Sequence, residues 1–162
     1  MLTSRRDYLL RIIDEVSAFL ARVIFQRNKG NLQDALQTVV QGCERLFSME
    51  AERLFQFTPD QHFAMLTLDE PPELARDKVL LYAALNAEAG KIYAALGNRP
   101  MARGSYLNAL RFALKARIAY PAVSAAPPTY APTVTELIET LKDTPLDADT
   151  AELLREAQAS ST

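Results

Sequence analysis

Apolar residues recur at steps of three and four along most of the chain, which is the spacing of one face of an α-helix. The first stripe predicts a helix over residues 4–29, with Ser4 as its N-terminal cap and Gly30 after its last turn. The second stripe follows Asn31, a predicted helix cap, and includes Cys43, which it places among buried apolar side chains. No segment shows the alternation of apolar and polar residues that is typical of a β-strand, so the sequence predicts an all-α fold.

The most apolar stretch predicts a long helix over residues 73–96. From Val79 on, this helix is apolar on most of its sides, so we expect it in the middle of a bundle. The next helix follows a tight turn at Gly97 and Asn98, and Pro100 stands near its start, where the missing N–H of proline costs nothing. The two helices are expected to pack as an antiparallel pair.

A short helix, Pro59–Leu66, is predicted between the first two helices and this pair. Thr58 provides its cap, and Gln61, three positions later, completes a capping box. The single histidine, His62, lies on this helix, where we expect it to be solvated. One histidine with scattered carboxylates does not make a recognisable metal site, so no metal ligand is predicted.

The composition changes markedly after residue 120. Residues 121–132 contain four prolines, which cannot sustain a helix. We therefore divide the chain into a helical domain (1–120), a Pro/Ala linker (121–132) and a C-terminal helical tail (133–162). Thr133 and Glu136 suggest a capping box, and the helix that follows is amphipathic. We expect it to dock back on the bundle, either capping the last helix pair or occupying a groove.

Charge, cysteine content and hydropathy argue against several classes of protein. The 162 residues carry a net charge of -2 and one cysteine. No broad basic face is implied, so nucleic acid is not an expected partner, and one cysteine cannot form an internal disulfide. The longest uncharged apolar run, about Val79–Ala87, is far short of the ~20 residues that span a bilayer. Acidic residues interrupt the apolar N-terminal segment, so no signal peptide is predicted and we expect a cytoplasmic protein.

The sequence lacks the local motifs of the common enzyme classes. It has no glycine-rich phosphate loop, no nucleophile elbow, no HExxH motif and no Cys/His cluster. Pairing Cys43 with His62 has no support in sequence. We therefore expect a non-enzymatic protein, with no catalytic residue and no cofactor.

The helix pair around the Gly97 turn resembles the tetratricopeptide repeat (TPR), a helix-turn-helix unit of about 34 residues. Small residues let the two helices approach closely, and tyrosines fill the space around them. The positions that carry the resemblance are Gly90, Tyr93, Gly97, Ala102, Tyr106 and Ala109. The resemblance implies right-handed stacking of antiparallel helix pairs around a concave surface.

A weaker copy of the pattern occurs earlier, over residues 30–35. Ala35 corresponds to Ala102, 67 residues later, which is close to two repeat lengths. This copy lacks the signature glycine and tyrosine, since Val23 and Gln26 occupy those positions. The fold is therefore expected to be a degenerate TPR-like bundle.

Residues 6–13 and 81–114 also resemble an uncharacterised bacterial family of TPR-like proteins. The resemblance covers about residues 5–116, and the family has no established activity that it could imply. The tail after Pro121 lies outside it.

These observations favour a protein–protein interaction scaffold that binds a protein or peptide. On a TPR-type concave face we expect Leu20 and Ile24 from the first helix, together with the candidate partner-binding residues Arg27, Lys91, Ala87 and Ala94. The two cations could hold an acidic peptide or a C-terminal carboxylate. The simpler interpretation makes them solvated surface charges.

Two alternatives use the first helix, 4–29. Phe19 and Phe25 lie beside its main stripe, which would suit a seam between two copies in a homodimer. The remoter alternative is peripheral membrane association through its arginines, which its acidic residues partly offset.

Overall fold

The computed structural model describes the backbone of residues 2–160 and the side chains of residues 5–160. Every regular element in this range is an α-helix, which confirms the all-α prediction. The helices are α1 (Leu2–Asn28), α2 (Leu32–Phe47), α3 (Ala51–Leu54), α4 (Pro59–Thr67), α5 (Pro72–Ala95), α6 (Arg99–Ala119), α7 (Val134–Thr140) and α8 (Ala148–Ser160). The predicted cap at Ser4 depends on a side chain that lies outside the described residues. Residues 161 and 162 of the predicted tail also lie outside them.

The two long helix pairs turn in the same way. Gly30 and Gly97 follow α1 and α5 with φ of +80° and +79°, a left-handed conformation that glycine adopts without strain. In each turn, the next N–H donates to a carbonyl five residues back, which satisfies an end carbonyl of the helix. These bonds run from Asn31 to Gln26 and from Asn98 to Tyr93, and each is 2.9 Å long.

The helix caps agree only in part with the sequence prediction. Thr58 and Gln61 form the full capping box of α4. The Thr133 hydroxyl accepts a hydrogen bond from the Glu136 N–H at 3.1 Å at the start of α7. Asn31 occupies the cap position of α2, but its side chain makes no capping hydrogen bond. The prediction that this side chain caps α2 was therefore wrong.

Helix α5 lies at the centre of the fold. It packs against α1, α2, α4 and α6, and nearly every residue from Leu74 to Ile92 is buried. Its apolar sides explain this position, because a helix that is apolar all round must be covered all round. The aromatic ring of Tyr82 packs at its centre, between the rings of Phe47 and Phe112.

The α5–α6 pair is tightly packed at Gly90. A Cβ atom built on Gly90 would lie 2.7 Å from a ring carbon of Tyr106, which is closer than real side chains approach. The facing positions Ala102 and Ala109 on α6 are buried. Gly97 forms the turn, and Tyr93 packs half-buried against the core.

The tail packs on the domain before it. Both α7 and α8 contact α6. Leu137 and Leu141 from this segment, with Ala157 of α8, join the same apolar core as the central helices. Residues 120–133, between α6 and α7, contain no helix.

His62 is buried, so the expectation that it is solvated was wrong. The residue is 5 % exposed, and Nε2 donates to the Leu54 carbonyl at 2.8 Å, because a carbonyl can only accept. Nδ1 lies 3.3 Å from the Tyr82 hydroxyl, within hydrogen-bond distance. The histidine thus joins the short α3–α4 segment to α5.

Candidate functional site

One face of α5 forms the floor of a groove. Arg76, Leu80, Ala84, Ala87 and Lys91 follow each other at steps of three and four, so they share that face. We call this face, with the residues that border it on two other helices, the α5 groove. Its bordering residues are Leu20 and Ile24 of α1 and Tyr106, Ala113, Ala116 and Arg117 of α6.

A non-helical segment of the chain covers the middle of this groove. We call residues 123–133 the strap. One cavity of about 530 Å³ lies on its Arg76 side, and a second of about 380 Å³ lies on its Lys91 side. The cavities share the strap residues Thr129, Ala131, Pro132 and Thr133. The two cavities are therefore the two halves of one groove, divided by the strap.

Arg76 holds the strap by its main chain. The guanidinium donates from Nη1 to the Ala125 carbonyl at 2.7 Å and from Nη2 to the Ala126 carbonyl at 3.3 Å. It also contacts Asp77 Oδ1 at 3.0 Å. Arg76 is only 6 % exposed, and a buried cation is costly unless its donors are satisfied. The strap carbonyls and Asp77 together meet that requirement.

Tyr130 is the side-chain anchor of the strap. Its ring packs against the apolar core, and its hydroxyl donates to the Asp77 carbonyl at 3.3 Å. Burial raises the pKa of Tyr130, and the nearby Asp77 carboxylate adds to the effect. The phenol therefore stays protonated and remains a donor at physiological pH.

Arg27 and Lys91, two of the predicted partner-binding residues, both bind the same carboxylate. Glu88 is buried, and it accepts from Arg27 Nε at 2.8 Å and from Lys91 Nζ at 3.1 Å. This carboxylate offsets one of the two positive charges. Ala87 lies on the groove floor beside it. Ala94 is exposed and is not among the residues that line either half of the groove.

Sequence reasoning missed Arg76, Glu88 and the strap. A signal was present for Glu88 alone, because it interrupts the strongly apolar part of α5, whereas Arg76 lies among the charged residues of the first turns of this helix. A charge in such a position needs a partner from elsewhere in the fold. The strap gave no comparable signal, since its prolines indicate only that it is not helical.

A separate cavity of about 340 Å³ lies between α2, α5 and α6 and contains Cys43. Burial raises the pKa of this thiol to about 12, with a smaller contribution from Glu44. A thiol in this state is a poor nucleophile at neutral pH. Cys43 acts as a buried apolar residue, as its position in the α2 stripe predicted.

Among the side chains of residues 5–160, no group of three or more His, Cys, Asp or Glu is arranged to hold a metal ion. No helix in this range combines the length and apolar character needed to cross a bilayer.

Large apolar side chains are exposed at several positions around α1. Tyr8, Leu10 and Phe25 are all exposed, and Phe25 is 62 % accessible. Phe19 lines a shallow depression on this helix with Glu15, Ala18 and Arg22. Glu15 forms an ion pair with Arg45 of α2, which joins the two helices next to this depression.

Comparisons with protein-family profiles, with curated proteins and with solved structures find no match to this chain. The resemblance to TPR proteins and to a bacterial family therefore rests on the residues given above.

Proposed function

We propose that this protein is a non-enzymatic interaction scaffold of TPR type, in which the α5 groove binds a peptide segment of a partner protein. In this proposal, the pairs α1–α2 and α5–α6 stack as degenerate repeats, and the groove corresponds to their concave face. The two turns support the repeat relationship, because they have the same glycine conformation and the same hydrogen bonds.

The observation that carries the proposal is the way in which the groove holds the strap. Arg76 donates to two consecutive main-chain carbonyls, and such contacts do not depend on the side chains of the bound segment. The floor between Arg76 and Lys91 is made of Leu80, Ala84 and Ala87, which offer apolar area to side chains. Most binding sites combine an apolar surface with a few directed polar groups in this way.

A pair of neighbouring positions on α1 tests the proposal. Ile24 borders the groove, whereas Phe25 points away from it and is more exposed. A photo-crosslinking benzophenone residue would replace either side chain in the full chain, which is then irradiated in native lysate. We expect position 24 to capture a partner peptide that mass spectrometry identifies, and position 25 to capture none of it. Equal capture at both positions, or none at position 24, would contradict a groove site.

A second candidate function is homo-oligomerisation through α1. The specific observation in its favour is that α1 exposes large apolar side chains, of which Phe25 is the most exposed. Exposed apolar side chains on soluble proteins are often part of interaction sites. Two copies related by a twofold axis could cover the surface around Phe25 and leave the α5 groove free.

A further inference from the structure

We propose that the strap is a built-in competitor for the α5 groove, and that the partner is a peptide of the same chemistry. That peptide would be uncharged, rich in proline and alanine, and would carry one tyrosine. The inference rests on the proposed function, because it names the partner class and the regulation of the same groove.

The strap interacts with the groove as a bound peptide would. Its sequence, VSAAPPTYAPT, contains no charged residue. Its main chain is held at one point by Arg76, and its single large side chain, Tyr130, is held at a second by the core and the Asp77 carbonyl. Proline-rich segments bind well in this manner, because their restricted backbone loses little entropy and has few internal hydrogen bonds.

The strap is also fastened lightly enough to be exchanged. Its residues from Ser124 to Pro127 are exposed, and it belongs to no helix. Across the described residues, the hydrogen bonds between α5 and the strap come from the Arg76 guanidinium and the Asp77 carbonyl. Release therefore breaks a small set of hydrogen bonds, and it takes from Arg76 the two carbonyl acceptors that the strap supplies. Another chain that presents carbonyl groups would restore those two hydrogen bonds.

The groove has room for a longer segment than the strap alone fills. Cavities of about 530 Å³ and 380 Å³ flank the strap on its two sides. Both volumes fall within the range of ligand pockets in proteins. A partner peptide of the same chemistry could use the Arg76 and Tyr130 positions and extend into both halves, so it would gain contacts that the strap does not make.

The Tyr130→Ala variant of the full chain tests the competition. It removes the side-chain anchor of the strap and keeps Arg76. The probe is a fluorescent synthetic peptide with the sequence of residues 123–133. We expect this peptide to bind the variant at least about ten-fold more tightly than the unmodified chain, because the strap no longer competes for the groove. A peptide with alanine in place of its tyrosine should bind neither protein.

Two controls separate the competition from general loss of stability. Tyr8→Ala removes an exposed tyrosine of α1 that does not line the groove, and it should leave peptide affinity unchanged. Tyr130→Phe keeps the ring but loses the hydrogen bond to Asp77, so it should give an intermediate affinity. No peptide binding by any variant, or equal affinity in Tyr130→Ala and the unmodified chain, would overturn the inference.

A fluorescence variant reports strap release directly. The chain contains no tryptophan, so Tyr130→Trp places a single indole in the strap. Saturating peptide should shift its emission to longer wavelength and increase quenching by acrylamide, because the indole moves into water. An unchanged spectrum with peptide bound would show that the strap does not leave and would overturn the competition.

The remaining outcomes also discriminate. If the Tyr130→Ala variant forms dimers and added peptide dissociates them, the strap of a second copy is acting as the bound peptide, which supports the inference. Dimers that the peptide does not affect count against it. If crosslinking at position 24 identifies a partner but the synthetic peptide does not bind, the groove function stands and the partner chemistry proposed here is wrong.

Discussion

At the residue scale, a glycine allows α5 and α6 to pack closely. The Tyr106 ring covers Gly90 so closely that no Cβ fits without movement of the ring. The sequence pattern already placed a glycine and a tyrosine at these two positions. It could not show that the same ring also borders the Lys91 half of the groove, because that depends on how α1 and the strap lie against the pair.

Gly90→Ala should therefore destabilise the protein, although alanine is the better helix former. The clash with Tyr106 should outweigh the ~1 kcal/mol that alanine gains over glycine in a helix and leave a net loss of about 1–2 kcal/mol. Gly104→Ala on α6 is the matched control, because nothing lies within 4 Å of its Cβ. This control should gain up to about 1 kcal/mol. Urea unfolding measures both, and equal effects from the two substitutions would refute the packing argument.

At the element scale, sequence patterns located the helices well. The predicted bounds of α1, α4 and α5 differ from the observed ones by no more than two residues at either end. Glycine turns, proline at the first helical turn and Thr58 with its capping box are local signals, so they can be read without the fold. The buried position of His62 cannot be read in this way, because Leu54 and Tyr82 bind it from other elements.

The tail helix α7 should contribute to the stability of the whole fold. Leu141, just after α7, is buried in the common core, whereas Ile138 on the same segment is exposed. Leu141→Ala should cost about 2–3 kcal/mol of unfolding free energy, and Ile138→Ala should cost less than about 1 kcal/mol. Thermal unfolding followed by circular dichroism measures the difference. An unchanged midpoint for Leu141→Ala would mean that the tail is not part of the cooperative unit.

The stabilising contribution of Asp147, just before α8, should decrease at acidic pH. Asp147 accepts from the Thr150 hydroxyl at 2.6 Å and from its N–H at 3.2 Å, and it lies 3.6 Å from the Arg111 guanidinium. The Thr150 hydroxyl contributes most to lowering the pKa of Asp147, and burial partly opposes it. A lowered pKa in the folded state stabilises the fold at any pH above the unfolded value of about 3.9. This contribution is lost as the pH falls through the lowered value.

Asp147→Ala removes this interaction and provides the measurement. The unmodified chain should be more stable than the variant at pH 7, and the gap in unfolding free energy should shrink steadily below about pH 4. Since Asp147 is largely exposed, solvent screening limits the gap to about 1 kcal/mol or less. A gap that is constant with pH would show that the charge of Asp147 makes no contribution.

At the scale of the whole molecule, the two proposed modes of association concern different parts of the surface. The α5 groove is covered by the strap, whereas the surface of α1 around Phe25 is open. Phe25 and Ile24 are neighbours in sequence but belong to different faces. Changes at these two positions therefore separate self-association from partner binding.

Phe25→Asp should abolish any homodimer formed through α1. If the open face is a dimer seam, the unmodified chain should sediment as a dimer at micromolar concentration and the variant as a monomer, because a carboxylate would be buried without a partner. The binding of peptide to the groove should be the same in both. A monomeric unmodified chain would remove the dimer hypothesis and leave the groove proposal untouched.

The sequence by itself determined the all-α class, the bounds of α1 and α5 to within two residues, the two glycine turns and the short helix after Thr58. Each depends on residues within a few positions of one another, where periodicity and capping act. The tertiary structure alone decided where the strap lies, which groups satisfy Arg76, and that Glu88 joins Arg27 to Lys91. These contacts join residues far apart in the chain, and a buried charge specifies only that it needs a partner, not which one.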